Sequence, residues 1–398
     1  MDWNLQFASA TENMRRSTVR EFLKFAKQPG MISFGGGLPA AELFPVAEFE
    51  RASEAILRKH AGRALQYGET EGVAELRDYI ATKYGVAVEN VMITSGAQQA
   101  LDLLGRVLID RSDQIALENP TYLALLASWR VHRPEFVAIP SDENGMDVSQ
   151  LGAGKKMLYV VPNFQNPQGT TLSHERRCAL AEFAVRNEVV VVEDDPYGEL
   201  RYEGEPLQSI FELGGKCNGP VVSVGTFSKV LSPGLRVGWV VAHQKLIEKL
   251  VLAKQSTDLH TSTFNQYVAW ELATSGLLEH HVPRLRAEYE RRRDAMLEAL
   301  STFMPAEVSW SRPAGGMFLL LRLPEELKGA EIARAALAAK VVVVPGEDFH
   351  IAGGENSLRL NFSNCAPELI RTGVERLANI VAQFVNNTAK YQVSFSSV

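Results

Sequence analysis

The sequence predicts an α/β protein, with a mostly parallel sheet between helices and a second, smaller α/β unit after it. Two features predict this. Short continuous β-branched runs, such as residues 189–192, recur between segments of helical spacing and do not alternate with polar residues. Such strands are expected to be buried on both faces, as in a parallel sheet. A long charged segment over 282–299 then separates that series from a shorter one. With 398 residues, of which 46% are hydrophobic and 22% charged, the chain can bury the core of two or three domains.

The elements follow in order. An amphipathic stretch over 18–27 precedes Pro29-Gly30 and the loop Gly35-Gly36-Gly37-Leu38-Pro39. The spacing predicts helices over 46–60 and 72–84. Then come a strand at 91–94, a helix at 97–108, a strand at 114–118 and a helix at 122–131. Strands are predicted at 136–139 and 157–161, a helix at 173–187 with Ser173 as its N-cap, and strands at 189–193, 221–224 and 237–241. In the charged helix, Arg284, Arg286 and Arg291-Arg292-Arg293 are interleaved with Glu288, Glu290, Asp294 and Glu298. That pattern predicts a solvated face rather than a nucleic-acid stripe. The smaller unit reads as strand 317–323, helix 330–339, strands 341–344 and 357–362, and helix 367–385, with the charged helix as the connection.

Composition excludes several classes. A net charge of -6 disfavours nonspecific binding of nucleic acid. No apolar run reaches the ~18 residues of a membrane span, and Met1-Asp2-Trp3-Asn4 lacks the pattern of an export signal. Cys178, Cys217 and Cys365 are odd in number and far apart, which suits a reducing cytoplasm and neither a disulfide framework nor a zinc site. No histidine pair has ligand spacing, His280-His281 is expected at the surface, and no metal is expected.

Five segments carry candidate chemistry. Val221 to Lys229 ends a strand in Thr226-Phe227-Ser228-Lys229, with Arg236 seven positions on. Two hydroxyls and a guanidinium suit a dianion, and the amine could bond an aldehyde carbon, although alone this reads as a surface lysine in a turn. Glu193-Asp194-Asp195-Pro196-Tyr197 places acids at the C-terminal end of a buried strand, where open sheets bind ligands; a helix cap or a metal site is the alternative. Asn163 to Gly169 is a turn containing Asn166-Pro167. Thr94-Ser95-Gly96-Ala97-Gln98 is a strand-to-helix junction whose free N–H groups could meet a phosphate. Arg359, in the apolar strand Ser357 to Phe362, needs a buried partner, either a ligand carboxylate or an internal salt bridge.

Together, and in this order, these segments resemble the pyridoxal 5′-phosphate enzymes of fold type I, class I/II aminotransferase branch. The resemblance runs from about Ser17 to about Val385. Ser17-Thr18-Val19-Arg20-Glu21, Leu43-Phe44-Pro45, Leu65-Gln66-Tyr67, Phe227 to Arg236 and Asp258-Leu259-His260-Thr261 are similar to the 2-aminoadipate/kynurenine aminotransferase group.

The resemblance implies a large domain with a mostly parallel seven-stranded sheet over 46–283. The small domain would be formed by 284–398 together with part of an N-terminal arm at 1–45. It implies a homodimer with shared active sites, small-molecule amino acid and 2-oxoacid substrates, and a ping-pong transfer from a 2-aminoadipate, aromatic or aliphatic donor to a 2-oxoacid such as 2-oxoglutarate. Lys229 would hold the cofactor and act as base, with its pKa lowered by desolvation and nearby cations. Asp194 would pair with the pyridine nitrogen, Tyr197 and Asn166 would bond the ring oxygen, and Tyr122 would stack on the ring. Gly96, Ala97, Gln98, Thr226, Ser228 and Arg236 would grip the phosphate, with Tyr67 reaching it from a second subunit. Arg359 and Gly36 would hold the substrate carboxylate, and Arg20 a distal one, unless Arg20 is simply a surface charge. Serine is common in the group where this chain has Ala97, and the loss of one hydrogen bond to a charged group costs roughly 1.5–3 kcal/mol. A lyase or decarboxylase on the same scaffold is an alternative, as is the ligand-sensing domain of a transcription regulator, for which the 34 residues before Gly35 are too few to form a separate DNA-binding domain.

Overall fold

The computed structural model describes residues 1–14, 24–26 and 28–395, so most of the amphipathic stretch at 18–27 lies outside the described residues. Its largest sheet has eight strands. Strands β3 (Gln114–Asn119), β4 (Glu135–Asp142), β6 (Met157–Val160), β7 (Val190–Asp194) and β8 (Val221–Thr226) run parallel. β9 (Gly238–Val241) lies antiparallel between β8 and β2 (Val91–Thr94). β5 (Gly145–Met146) adds a two-residue hairpin strand beside the seven longer ones, giving the order β2-β9-β8-β7-β6-β3-β4-β5.

Alternate residues of these strands feed two separate cores. In β6, Leu158 and Val160 pack in one layer while Met157 and Tyr159 pack in the other. In β7, Val191 and Val192 divide in the same way. Both faces are therefore apolar, which is why the sequence shows runs and not alternation. Ser173 caps the helix His174–Asn187, its hydroxyl accepting from Arg176 N at 3.3 Å.

The second unit holds an antiparallel sheet, β10 (Ser309–Trp310), β11 (Phe318–Arg322), β14 (Ser357–Asn361) and β13 (Val344–Pro345). The apolar run at 341–344 is not one strand. Val341–Val342 forms β12, parallel to β1 (Ile32–Ser33), and after Val343 the chain joins β14 instead. A third core gathers Ile32 and Phe34 with Leu319, Leu321, Leu358 and Leu360.

The charged helix runs over Leu277–Phe303, and two expectations about it are corrected. Arg292 and Arg293 are buried, not solvated. Arg292 donates to Ser363 O at 2.6 Å and to Glu288 and Glu42, both at 2.7 Å, while Arg293 donates to Pro313 O at 3.0 Å. These cations tie the helix to the chain around the smaller sheet. His281 is also buried, because Val282 and Leu285 turn that face of the helix inward; only His280 is exposed.

Candidate active site

The loops that leave the C-terminal ends of β3, β6, β7 and β8 converge with the junction from β2 into the helix Ala97–Leu108. This is where a parallel sheet offers a crevice to a ligand. The hairpin joining β8 to β9 brings Lys229 there. Its Nζ donates to Gly37 O at 3.0 Å and lies 6.0 Å from the centre of the Tyr197 ring. Desolvation lowers its pKa to about 8; Arg359 and Arg236 push the same way, against the pull of Asp194. At neutral pH about a tenth of such amines are free bases, far more than for an ordinary lysine.

Asp194 ends β7 and is buried. Its Oδ2 accepts from Tyr159 OH at 2.7 Å, and its Oδ1 has no partner among the described residues. Burial raises this carboxyl to about 7, with Asp195 adding to the shift and Tyr159 and Lys229 opposing it. A buried, half-satisfied carboxylate calls for a cationic donor. Burial also drives the Tyr197 phenol well above its ordinary pKa, against a hydrogen bond with Asn166.

Arg359 reaches in from β14. Its guanidinium donates to Asn166 Oδ1 at 3.1 Å and to Gly35 O, and lies over the Phe318 and Phe349 rings at 4.6 and 4.9 Å. Burial lowers its pKa to about 10, and its Nε has no partner among the described residues. Gly36, itself buried, lies between the two glycines whose carbonyls meet Arg359 and Lys229.

Across the crevice Gly96 has φ +81°, and a Cβ there would come 2.5 Å from the Arg236 guanidinium. The helix that follows has no side-chain cap, so the N–H groups of Ala97 and Gln98 are its open end. Arg236 donates to Ser95 O at 2.9 Å. Thr226 Oγ1 accepts from Ser228 N at 3.1 Å and lies 2.8 Å from Ser228 Oγ. Gly238 backs this cup so closely that a Cβ would meet Ala97 N at 2.7 Å. Tyr122 OH donates to Gln98 Oε1 at 3.4 Å.

The structure thus brings together Lys229, Asp194, Tyr197, Asn166, Arg359, Gly36, Tyr122 and the cup residues Gly96, Ala97, Gln98, Thr226, Ser228 and Arg236. Tyr67 stands apart on the surface, 78% exposed. Arg20 lies outside the described residues. Tyr159 is absent from the sequence-based set, although a tyrosine in a strand buried on both faces requires a partner for its hydroxyl, and that requirement could have marked it.

These residues suit pyridoxal 5′-phosphate: an amine for its aldehyde, the orphaned Asp194 oxygen for its ring nitrogen, and a cup of amides, hydroxyls and a guanidinium for its phosphate. Fold and site define a pyridoxal-phosphate-dependent transferase of fold type I. The chain belongs to the aminotransferase class I and II family, which residues 37–377 match. It is 43% identical to an aromatic-amino-acid aminotransferase of Thermococcus litoralis, over 96% of this chain and 95% of that one. It is equally identical to a 2-aminoadipate transaminase of Thermus thermophilus, over 95% and 96%. Among solved structures, the Thermus α-aminoadipate aminotransferase LysN, complexed with a phosphopyridoxyl-leucine, superposes with a TM-score of 0.91 at 41% identity, covering 97% of this chain and all of that one. The protein is a pyridoxal-phosphate-dependent aminotransferase acting on amino acids and 2-oxoacids.

Proposed function

We propose that the protein moves the amino group of an L-amino acid, with 2-aminoadipate, aromatic or aliphatic side chain, to a 2-oxoacid such as 2-oxoglutarate in two half-reactions. One observation carries this: a lysine amine, a buried half-satisfied carboxylate and a buried arginine with a free N–H share one crevice. The aromatic and aminoadipate names of the relatives support the donor range.

When bound, pyridoxal phosphate supplies an aldehyde that exchanges with amines and a ring that accepts electrons from the substrate Cα. The protein's own groups do the rest. Asp194 would pair with the ring nitrogen and keep it protonated. Lys229, neutral in part, would act as the base that moves the proton of the substrate Cα. Arg359, with Asn166 and Gly36, holds the substrate carboxylate so that the Cα–H bond faces Lys229. Tyr197 and Asn166 would bond the ring oxygen, Tyr122 would cover the ring, and Gly96, Ala97, Gln98, Thr226, Ser228 and Arg236 would hold the phosphate. Arg20 reads a distal acidic group.

The proposed large domain spans 46–283, with 1–45 and 284–398 contributing to the small one. A homodimer completes each site with Tyr67 of the other subunit; the exposure of Tyr67, Leu65, Leu38 and Leu259 supports this. The free cysteines suit a cytoplasmic setting. No described helix is long and apolar enough to cross a membrane.

Replacing Lys229 by alanine tests the reading. Lys229→Ala is expected to fold and to bind the cofactor, but to lose at least about a thousandfold in the donor half-reaction, followed by absorbance. Near-normal conversion to the amine form of the cofactor would refute the assignment. In the wild type, failure of an added 2-oxoacid to restore the aldehyde form would instead favour a lyase.

A further inference from the structure

Behind the phosphate cup stands a lysine that no step above uses. Lys254, on the helix Gln244–Gln255, has a side chain with no exposed surface. Its Nζ donates to both Asp258 carboxylate oxygens, at 2.8 and 3.0 Å, and to Gln99 Oε1 at 2.8 Å. Asp258 also accepts from Gln99 Nε2 at 2.6 Å and from Ser95 Oγ at 3.0 Å. Gln99 Oε1 accepts a second bond, from the backbone N of Ser95, at 2.7 Å.

Every polar atom of Ser95 is therefore engaged. Its N–H goes to Gln99, its hydroxyl to Asp258 with Thr261 Oγ1 at 3.2 Å, and its carbonyl to Arg236 at 2.9 Å. Ser95 precedes Gly96 and the open amides of residues 97 and 98, so its orientation sets theirs.

The cluster also fixes its own sense. An ammonium can only donate and a carboxylate can only accept, so Lys254 and Asp258 together force the Gln99 amide to turn its oxygen toward Ser95 N. Bonds from Lys254, Gln99 and Ser95 outweigh burial at Asp258 and hold it below the ordinary carboxylate range, so it stays ionised. A buried ammonium is costly unless paired, and here both partners of Lys254, Asp258 and Gln99, bond Ser95, whose carbonyl meets Arg236.

We propose that Lys254, Gln99 and Asp258 are positioning residues for the cofactor's phosphate, acting through Ser95 to aim Arg236 and the amides of residues 97 and 98. The inference rests on the pyridoxal-phosphate reading of the crevice.

Two ligands separate positioning from simple support of the fold: pyridoxal 5′-phosphate, and pyridoxal, which lacks the phosphate. Binding of each to wild-type, Lys254→Met and Asp258→Asn apoenzymes is followed by the absorbance of the bound aldehyde. Both variants are expected to bind the phosphorylated ligand about tenfold or more weakly, the loss of one charge-assisted hydrogen bond, while their affinity for pyridoxal stays within about twofold of wild type. Adding Ala97→Ser to Lys254→Met is expected to recover part of the loss. Equal weakening toward both ligands, or no weakening, overturns the proposal. Asp258→Asn keeps the side-chain shape and supplies the same comparison if Lys254→Met does not fold. A wild-type protein that fails to prefer the phosphorylated ligand would instead refute the cofactor reading itself.

Discussion

Burial moves acids and bases in opposite directions, and both kinds of residue occur around this crevice. Lys229 is lowered to about 8, whereas Glu118, at the end of β3, is raised to about 8 and accepts from Val161 N at 2.9 Å. The native pKa of Glu118 lies above its unfolded value of 4.5, so its favourable contribution is complete below about pH 4.5 and is lost as pH rises through about 8. Glu118→Gln keeps an oxygen for Val161 N and carries no charge. Its melting temperature relative to wild type is expected to climb by a few degrees between pH 5 and 8, measured by calorimetry on the apoenzyme. A difference that stays flat across that range would show that Glu118 ionises without cost. At this scale, Lys229, Asp194 and Tyr197 could be named from sequence because each lies just past, or at the end of, an apolar strand, and Arg236 because it stands seven positions after Lys229 and just before the next strand. Tyr159, like Arg359, is a polar group in an apolar strand and could have been marked by its need for a partner, whereas Glu118 and Lys254 look like ordinary charges until their burial is known.

Elements were legible where packing imposed a period. Val91–Thr94 and Ala97–Leu108 have the expected bounds, since the apolar run and the helical spacing meet at Ser95-Gly96. Two of the longer helices escaped. Thr263–Thr274 buries Gln266, Tyr267, Val268 and Ala269 in succession, so no single face stands out. Gln244–Gln255 buries Ile247, Leu250 and Lys254, and the last of these breaks the apolar pattern at its most informative position. The split of residues 341–344 between two sheets is likewise invisible to hydropathy, because both halves are buried. Close approach between β9 and the helix start gives a further expectation. Gly238→Ala would press a methyl group against Ala97 N, Gly96 C and Gly225 O at 2.7–2.9 Å, all backbone atoms that cannot step aside. It is expected to destabilise the protein by roughly 1–3 kcal/mol in denaturant titration and to loosen the cup. Unchanged stability would mean that β9 can withdraw from the helix.

At the level of the whole molecule, the surface keeps large apolar side chains uncovered. Trp3, Leu5 and Phe7 are exposed near the N-terminus, as are Leu65 and Tyr67 beside the helix Ala61–Ala64. Sedimentation at micromolar concentration is expected to give twice the 43.9 kDa chain mass, and Tyr67→Ala to weaken cofactor binding without changing that mass. A fully active monomer would remove Tyr67 from the site. The parallel sheet was readable at this level from the order of continuous apolar runs and helical segments. The pairing of β1 with β12 was not, because it joins segments some three hundred positions apart and nothing local announces it.

The hairpin between β8 and β9 carries both Lys229 and Arg236, while Arg359 arrives from a different sheet. In the proposed reading, the span between the amine and the guanidinium on that hairpin would therefore work as a local ruler for the coenzyme, insensitive to movement of the smaller unit. Substrate capture has no such ruler. With the roles proposed for these residues, a shift of β14 would loosen or tighten the grip on an amino acid while the coenzyme stayed seated, so that one small molecule after another could be exchanged without releasing the group that each must meet.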